Sequence, residues 1–239
     1  MTRYSSTLSA SALAVASLLV PAAHANIVNG GFESGVAYGS GPNIFSPGTP
    51  APWFATAWSP DMYDNTGADG WGIGGIPAYT NMFKGMPAFQ GNRFIGFAAT
   101  TSFGGINEAF AQTTSPLTPG KTYTISAHLA ADDTGNASST YGGPYFGRGQ
   151  VDVLLNGNLI GTLTQNTVSL TWESRSFSFV APVASSYTFE FIAQLDPNPG
   201  SGHSSYIGLD DIRCVPGPGA LGTLALAGCL VARRRRSAC

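Results

Sequence analysis

The sequence predicts an all-β fold, an antiparallel β-sandwich, for the body of this 239-residue chain. Three observations lead to this class. No stretch of the body carries a hydrophobic period near 3.6 residues; residues 121–129 alternate between apolar and polar side chains; and Asn156-Gly157 joins two further apolar runs. Alternation with period two is typical of a strand with one buried face, and Asn-Gly tolerates the positive φ angles of a two-residue hairpin turn.

Each strand is predicted from the same signals. Residues 121–129 place Tyr123, Ile125, Ala127 and Leu129 on one face, after the turn residues Pro119-Gly120. The other predicted elements are a hairpin over 151–163, strands over 92–97, 106–112, 172–180, 186–195 and 205–212, and one short strand around 53–58. The remainder of residues 35–91 is rich in Gly, Pro and aromatics and is predicted to form long loops over the sandwich.

Both termini predict export. Residues 1–25 combine a cationic start, an apolar run over residues 8–20 and the small-x-small site Ala23-His24-Ala25, which is the layout of a signal peptide removed by signal peptidase. The mature body then spans residues 26–214, with a tail over 215–239. We expect the body to lie in the cell envelope or outside the cell.

The tail has three parts: a proline-spaced motif, an apolar stretch over 220–232 and four arginines. The stretch predicts a short hydrophobic helix, although a spanning helix needs about 20 residues. Cationic flanks stay on the cytoplasmic side, so the body faces outward. The residues that define this tail are Val215, Pro216, Pro218, Arg233, Arg234, Arg235 and Arg236.

The charge of the body excludes one class of partner. Residues 26–214 hold six basic and thirteen acidic side chains, a net charge of −7. Nucleic-acid binding needs clustered Lys and Arg, so no nucleic-acid partner is expected. Cys214 is the only cysteine of the body, which excludes an internal disulfide framework.

The tail resembles the PEP-CTERM sorting signal of exported bacterial proteins, with Gly217 in place of the glutamate of the Val-Pro-Glu-Pro motif. This resemblance implies an exosortase-type transpeptidase as a partner and membrane attachment before processing. The alternative is a single-pass anchor that nothing cleaves.

The body resembles galactose-binding-like jelly rolls, a group that includes carbohydrate-binding modules. The resemblance rests on motifs that occur in the expected order along the chain. They are residues 26–33 (Asn-Ile-Val-Asn-Gly-Gly-Phe-Glu), Trp53 with residues 59–63, residues 90–97, residues 115–126, Asn156-Gly157 and residues 206–212.

The jelly-roll resemblance implies a structural Ca²⁺ held between the opening motif and the closing strand. Glu33 and one of Asp210 and Asp211 occupy those positions, and Asp211 is the residue we choose. Strand alternation allows only one of the two aspartates to face the ion. The alternative is that these carboxylates cap turns or pair with Arg93 or Arg213.

Sugar binding requires exposed aromatic rings, and Trp58, Tyr63 and Trp71 are the predicted platform. The alternative for each ring is a core or loop-packing role, and Trp53 matches a buried position of the resembled family. Further candidates are Tyr79, Tyr145, Asn65, Asp69 and Asn81.

Catalysis has little support in the sequence, which holds no nucleophile elbow, zinc-protease motif or phosphate-binding glycine loop. We therefore expect no enzyme. The predicted function is an envelope- or matrix-associated sandwich that binds extracellular polysaccharide or forms part of a matrix. The alternative is a polysaccharide-acting hydrolase that uses an acidic pair. Its candidate residues are Glu33, Glu108, Glu173 and Glu190.

Overall fold

The computed structural model describes residues 27–34, 51–64, 71–72, 83, 85–101, 105–131, 147–198 and 204–217. Every regular element within them is a β-strand, and the predicted all-β sandwich is confirmed. The predicted signal peptide and the tail beyond residue 217 lie outside the described residues.

The described residues form twelve strands. In chain order they are β1 (Phe54–Ala57), β2 (Asp61–Asp64), β3 (Trp71–Gly72), β4 (Arg93–Thr100), β5 (Ile106–Asn107), β6 (Ala109–Thr114), β7 (Thr122–Ala131), β8 (Gln150–Leu155), β9 (Asn158–Thr164), β10 (Glu173–Val180), β11 (Tyr187–Gln194) and β12 (Ser205–Pro216).

These strands build two sheets. The five-stranded sheet has the order β1-β6-β11-β8-β9, and the seven-stranded sheet has the order β10-β7-β12-β4-β2-β3, with β5 also paired to β4. Neighbouring strands are antiparallel except β2 and β3, which run parallel. β12 reaches Pro216, two residues beyond the predicted end of the body, because Val215 and Pro216 pair with β7.

The apolar faces of the two sheets meet in one core. β7 contributes the four apolar side chains of its alternating pattern, and β11 contributes four more from the opposite sheet. None of the eight is more than 1% exposed, which confirms the pattern predicted for residues 121–129. They are Tyr123, Ile125, Ala127, Leu129, Tyr187, Phe189, Phe191 and Ala193.

The predicted hairpin at Asn156-Gly157 is confirmed. The two residues have φ angles of 51° and 77° and connect β8 to β9. The Asn156 side chain also donates to the carbonyl of Ser186 and accepts from the N–H of Thr188, which ties the turn to β11.

The outer faces of the two sheets differ. The seven-stranded sheet carries a second group of buried apolar side chains, here called the outer apolar cluster, on the face that points away from the core. Phe83 and Met86 come from the segment before β4 and cover this face. The cluster consists of Tyr63, Phe83, Met86, Phe94, Ala98, Ala130 and Tyr206, with Ala88, Leu170 and Trp172 packed against it.

Two glycines make room for this cover. A Cβ on Gly96 of β4 would lie 2.5 Å from the Tyr63 ring and 2.8 Å from the Tyr206 ring. A Cβ on Gly208 of β12 would lie 3.1 Å from Phe83. The aromatic rings therefore rest directly on the backbone of the sheet.

The region before β4 has more strand than the sequence predicted. The short strand expected around residues 53–58 is present as β1, but β2 and β3 also form in the described part of residues 35–91. β2 was missed because its four residues are all buried, so they show no alternation between an exposed and a buried face.

Candidate functional site

Trp58, the first predicted sugar-binding ring, is 61% exposed. It follows β1 with a φ angle of 57°, a left-handed conformation that is strained for a bulky residue. The next residues hold it there, because Ser59 donates hydrogen bonds to Glu108 from its N–H and its hydroxyl, and Pro60 is buried. The ring is thus exposed on a defined backbone.

The prediction that Tyr63 exposes its ring is wrong. Tyr63 is 1% exposed and belongs to the outer apolar cluster. Its ring stacks on Phe94 with a centroid separation of 4.9 Å, and the edge contact to Phe83 has the same separation. The reason is its place in β2, whose outward face is covered by a segment distant in sequence.

Trp71, the third predicted ring, forms β3 and pairs with Tyr63 through the backbone. Its side chain lies outside the described part of the chain, as do Tyr79, Tyr145, Asn65, Asp69 and Asn81. Trp53 is buried, as the resemblance implied, and its Nε1–H donates to the Asn29 carbonyl at 2.8 Å.

Phe54 is an exposed ring that sequence reasoning missed. It is 44% exposed on β1, the edge strand of the five-stranded sheet, four residues before Trp58. In β1 Phe54 and Thr56 are exposed and Ala55 and Ala57 are half-buried. The alternation of large outward residues with inward alanines is the sequence signal that points to it.

The structure also brings together an acidic pair, Asp61 and Glu108, which are 9% and 8% exposed. Glu108 follows β5, where the chain passes from one sheet to the other. Its N–H donates to the Ala98 carbonyl in the seven-stranded sheet, and its carbonyl accepts from Ala193 in the five-stranded sheet. Its carboxyl group also accepts the Ala98 N–H at 2.7 Å.

Burial changes the protonation of this pair. Burial, and then the negative charge of Asp61, raise the pKa of Glu108 to about 8, despite hydrogen bonds from Ala98 and Ser59 that lower it. Tyr206 donates its hydroxyl to Asp61 at 2.6 Å, and Tyr63 donates to the Tyr206 hydroxyl at 3.2 Å. At neutral pH Glu108 is therefore mostly protonated, and the hydroxyls of two tyrosines are aligned behind Asp61.

Glu33 and Asp210 are the carboxylates that meet between the opening motif and β12. Both lie beside Gly31, where a Cβ would be 3.6 Å from Asp210 Oδ1 and 3.9 Å from Glu33 Cγ. Glu33 Oε1 accepts the N–H groups of Asn92 and Arg93, at 2.8 Å each. The opening motif is thereby clamped to the turn before β4.

The clamp depends on Gly91, which has a φ angle of 70° and no room for a Cβ because the Glu33 carboxylate occupies that position. Asp210 accepts the N–H groups of Gln90 at 3.0 Å and of Asp211 at 2.6 Å. Burial raises the pKa of Asp210 to about 7, although these N–H groups and that of Phe89 act in the opposite direction.

The pairing of Glu33 with Asp211 is not what the structure shows. Asp211 has a φ angle of 52° at an irregularity of β12, and its side chain pairs with Arg213 at 2.8 Å. His128 Nδ1 lies 3.5 Å from Asp211 Oδ2 and has no hydrogen-bond partner among the described groups. Phe89 stacks on the His128 ring.

The residues present fit a calcium site only in part. Glu33 and Asp210 supply two carboxylates, but a Ca²⁺ shell takes about six to eight oxygens. The described residues contain no group of three or more His, Cys, Asp or Glu side chains placed to hold a metal ion. Calcium stays a prediction, with Asp210 rather than Asp211 beside Glu33.

Of the predicted sorting motif, Val215 and Pro216 belong to β12, and the N–H of Gly217 donates to the Thr122 carbonyl at 2.9 Å. Pro218 and Arg233, Arg234, Arg235 and Arg236 lie outside the described residues. The described part of the chain contains no helix of the length and apolarity that crossing a bilayer requires.

Comparison with known proteins gives a fold but no family. No protein-family model matches the chain, and no curated protein matches it. A Stig cyclase, Fisc, from Fischerella sp. TAU is similar with a TM-score of 0.53 and 17% identity, over 83% of this chain and 99% of that one. A second cyclase structure from Fischerella sp. TAU has a TM-score of 0.52, 17% identity and the same coverage.

Carbohydrate-binding modules are more distant in structure. The module TmCBM61, in complex with β-1,4-galactotriose, has a TM-score of 0.42 and 11% identity, over 81% of this chain and 99% of that one. Similarity at this level carries no argument about ligands.

The expectation that the chain is not an enzyme is corrected by these comparisons. The two structures with TM-scores of 0.53 and 0.52 are both described as cyclases. The sequence argument rested on missing motifs, and the same β-sandwich fold occurs in proteins described as enzymes. The fold therefore gives no ground for excluding catalysis.

Proposed function

We propose that this protein is an exported β-sandwich that binds extracellular carbohydrate through an exposed aromatic edge formed by Phe54 and Trp58. The observation that carries the proposal is Trp58, which is 61% exposed on a strained backbone that is followed by the hydrogen-bonded Ser59. A large ring on a fixed backbone has only its two side-chain torsions left to order, so it loses little entropy when it stacks on the apolar face of a sugar.

The geometry around Trp58 supports a platform rather than a cleft. Phe54 and Trp58 lie at the two ends of a five-residue run, which spans at most about 14 Å between them. No cation lies in this run, and the acidic groups that follow it, Asp61 in the chain and Glu108 against Ser59, are buried. A neutral sugar chain suits such a surface better than a charged ligand.

A glycan-array screen of the mature protein tests this proposal. We expect retention of at least one neutral polysaccharide class, and competition by the matching soluble oligosaccharide. Absence of binding across the array would favour the other role open for the body, a structural component of an extracellular matrix.

A second candidate function follows from the acidic pair. The pKa of Glu108 is raised to about 8, and Asp61 accepts the Tyr206 hydroxyl, so the two carboxyl groups have the composition of an acid–base site in a polysaccharide-acting hydrolase. Their burial opposes this function, because a polymer must reach the acid. Release of new reducing ends from polysaccharide, abolished by Glu108→Gln, would establish it.

Sorting completes the proposed function. The signal peptide directs export, and an exosortase-type transpeptidase processes the tail near Val215–Pro218. Intact mass spectrometry of the native envelope protein tests this step. We expect a mass that lacks Arg233–Arg236, whereas recovery of the full-length tail would leave a plain membrane anchor.

A further inference from the structure

One end of the sandwich differs from the rest in charge. This end, here called the tail pole, consists of residues 113–122, 154–159, 180–188 and 215–217, where the β8–β9 hairpin, the β10–β11 connection and the end of β12 meet. It contains no Asp or Glu, and Lys121 is its only charged side chain. The rest of the body is strongly acidic.

The tail pole also exposes apolar side chains. Val183 is 89% exposed, Val180 and Leu159 are each 61% exposed, and Val215 is 43% exposed. Val180 and Gly217 flank Thr122 on opposite sides, through a strand pair and a backbone hydrogen bond. Two strand spacings of about 4.8 Å therefore separate the exposed valine of β10 from the point where the described chain ends.

The length of the chain beyond Gly217 limits where this pole lies. Ala220, the first residue of the apolar stretch 220–232, comes three residues after Gly217. Three residues span at most about 11 Å. If the apolar stretch is in a bilayer, the tail pole is within that distance of the membrane surface.

We infer that the tail pole rests on the lipid surface while the tail holds the protein in the membrane, with Val180 and Val183 in the interfacial region and Lys121 toward the anionic headgroups. This inference rests on the proposed membrane attachment of the tail. Absence of carboxylates at this end avoids repulsion from anionic lipid, and one lysine is attracted to it. The contact orients Trp58 away from the membrane.

Hydrogen exchange in vesicles on residues 26–239, the exported chain before its tail is processed, tests the inference. The chain is reconstituted in phosphatidylcholine/phosphatidylglycerol vesicles, and its association is first checked by flotation. We expect amides 183–186 to exchange at least tenfold more slowly, relative to intrinsic rates, in the wild type than in a Val180→Asp/Val183→Asp double variant. Amides 57–59, at the other end of the sandwich, should exchange alike in both.

A matched control adds two charges elsewhere. Thr56→Asp with Asn198→Asp should leave amides 183–186 as protected as in the wild type, because both positions are exposed and far from the tail pole.

Equal exchange of 183–186 in wild type and double variant, in a chain that floats, would overturn the inference and leave the anchor intact. A chain that fails to float would overturn the anchor as well. Protection that rises with protein density at fixed lipid would assign the pole to a second copy of the chain instead.

Discussion

The outer faces of the two sheets differ in how far each is exposed to solvent. On the five-stranded sheet, β11 alternates buried and half-exposed residues, so its outer face meets solvent. On the seven-stranded sheet, β4 is buried from Phe94 to Thr100, because Phe83 and the outer apolar cluster cover it. The covered face works as a second core, and the exposed rings Phe54 and Trp58 belong to the edge strand of the other sheet and the residue that follows it.

The largest expected effect is on the covered face. Gly96→Ala should lower the free energy of unfolding by about 1–3 kcal/mol or more, because its Cβ would overlap the rings of Tyr63 and Tyr206. Denaturant unfolding measures this. Gly31→Ala is the control, since its Cβ would make only ordinary contacts at 3.6 Å or more. Equal stability of the two variants would mean that the cover is not packed on the sheet.

The second effect is a pH dependence of stability at the edge of the covered face. The raised pKa of Glu108 means that the folded state favours the neutral carboxyl group. The contribution of this group to the free energy of unfolding is therefore complete below about pH 4.5 and is lost as the pH rises toward about 8. Between these values one such group changes the free energy of unfolding by at most about 1.4 kcal/mol per pH unit.

Glu108→Gln should remove the part of the pH dependence of stability that Glu108 causes. The amide keeps an acceptor for the Ala98 N–H and carries no charge. Glu190→Gln, on the solvent-facing side of the five-stranded sheet, should leave the slope as in the wild type. Thermal melts from pH 5 to about 8 measure the difference. Identical slopes for wild type and Glu108→Gln would contradict the buried acidic pair.

A third prediction concerns the clamp at Glu33 and Asp210. If Ca²⁺ binds there, it stabilises the folded state by about 2.7 kcal/mol at a hundredfold excess over Kd. A chelator should then lower the melting temperature of the wild type and of Asp211→Asn, but not that of Asp210→Asn. An unchanged wild-type melt in EDTA would mean that these carboxylates only accept hydrogen bonds from the N–H groups of Gln90, Asn92 and Arg93 and hold no ion.

The sequence predicted the elements whose structure is determined by a few neighbouring residues. The strand β7 and the Asn156-Gly157 hairpin follow from alternation and turn chemistry within a few residues. The burial of Tyr63 could not be predicted in this way, because it depends on Phe83, which lies twenty residues later in the chain and packs on β2 only in the folded protein. Glu108 was a candidate from the sequence, but its partner Asp61 was missed for the same reason, since the two meet through the pairing of β2 and β5 with β4.

The choice between Asp210 and Asp211 shows a different limit. Alternation assigns facing only in a regular strand, and the left-handed residue Asp211 interrupts β12 at that point. Nothing in the local sequence Leu209-Asp210-Asp211-Ile212 indicates that interruption. A guess between the two aspartates was therefore all that the pattern allowed.

The smallest expected effect is the most specific one, and it concerns the exposed edge. Trp58→Ala should weaken binding of a retained polysaccharide about three- to tenfold, since a stacked ring contributes roughly 0.5 to 1.5 kcal/mol. The melting temperature of Trp58→Ala should differ from that of the wild type by no more than an ordinary surface substitution causes. Leu159→Ala is the matched control, because Leu159 is equally exposed, at 61%, on the opposite edge strand β9.

Calorimetric titration of wild type, Trp58→Ala and Leu159→Ala with the same oligosaccharide tests the central claim most directly, that carbohydrate binds at the exposed aromatic edge. The account predicts a weaker Kd for Trp58→Ala alone, with all three proteins equally folded. Equal affinity of Trp58→Ala and wild type for a bound oligosaccharide would contradict it and place the ligand elsewhere on the molecule.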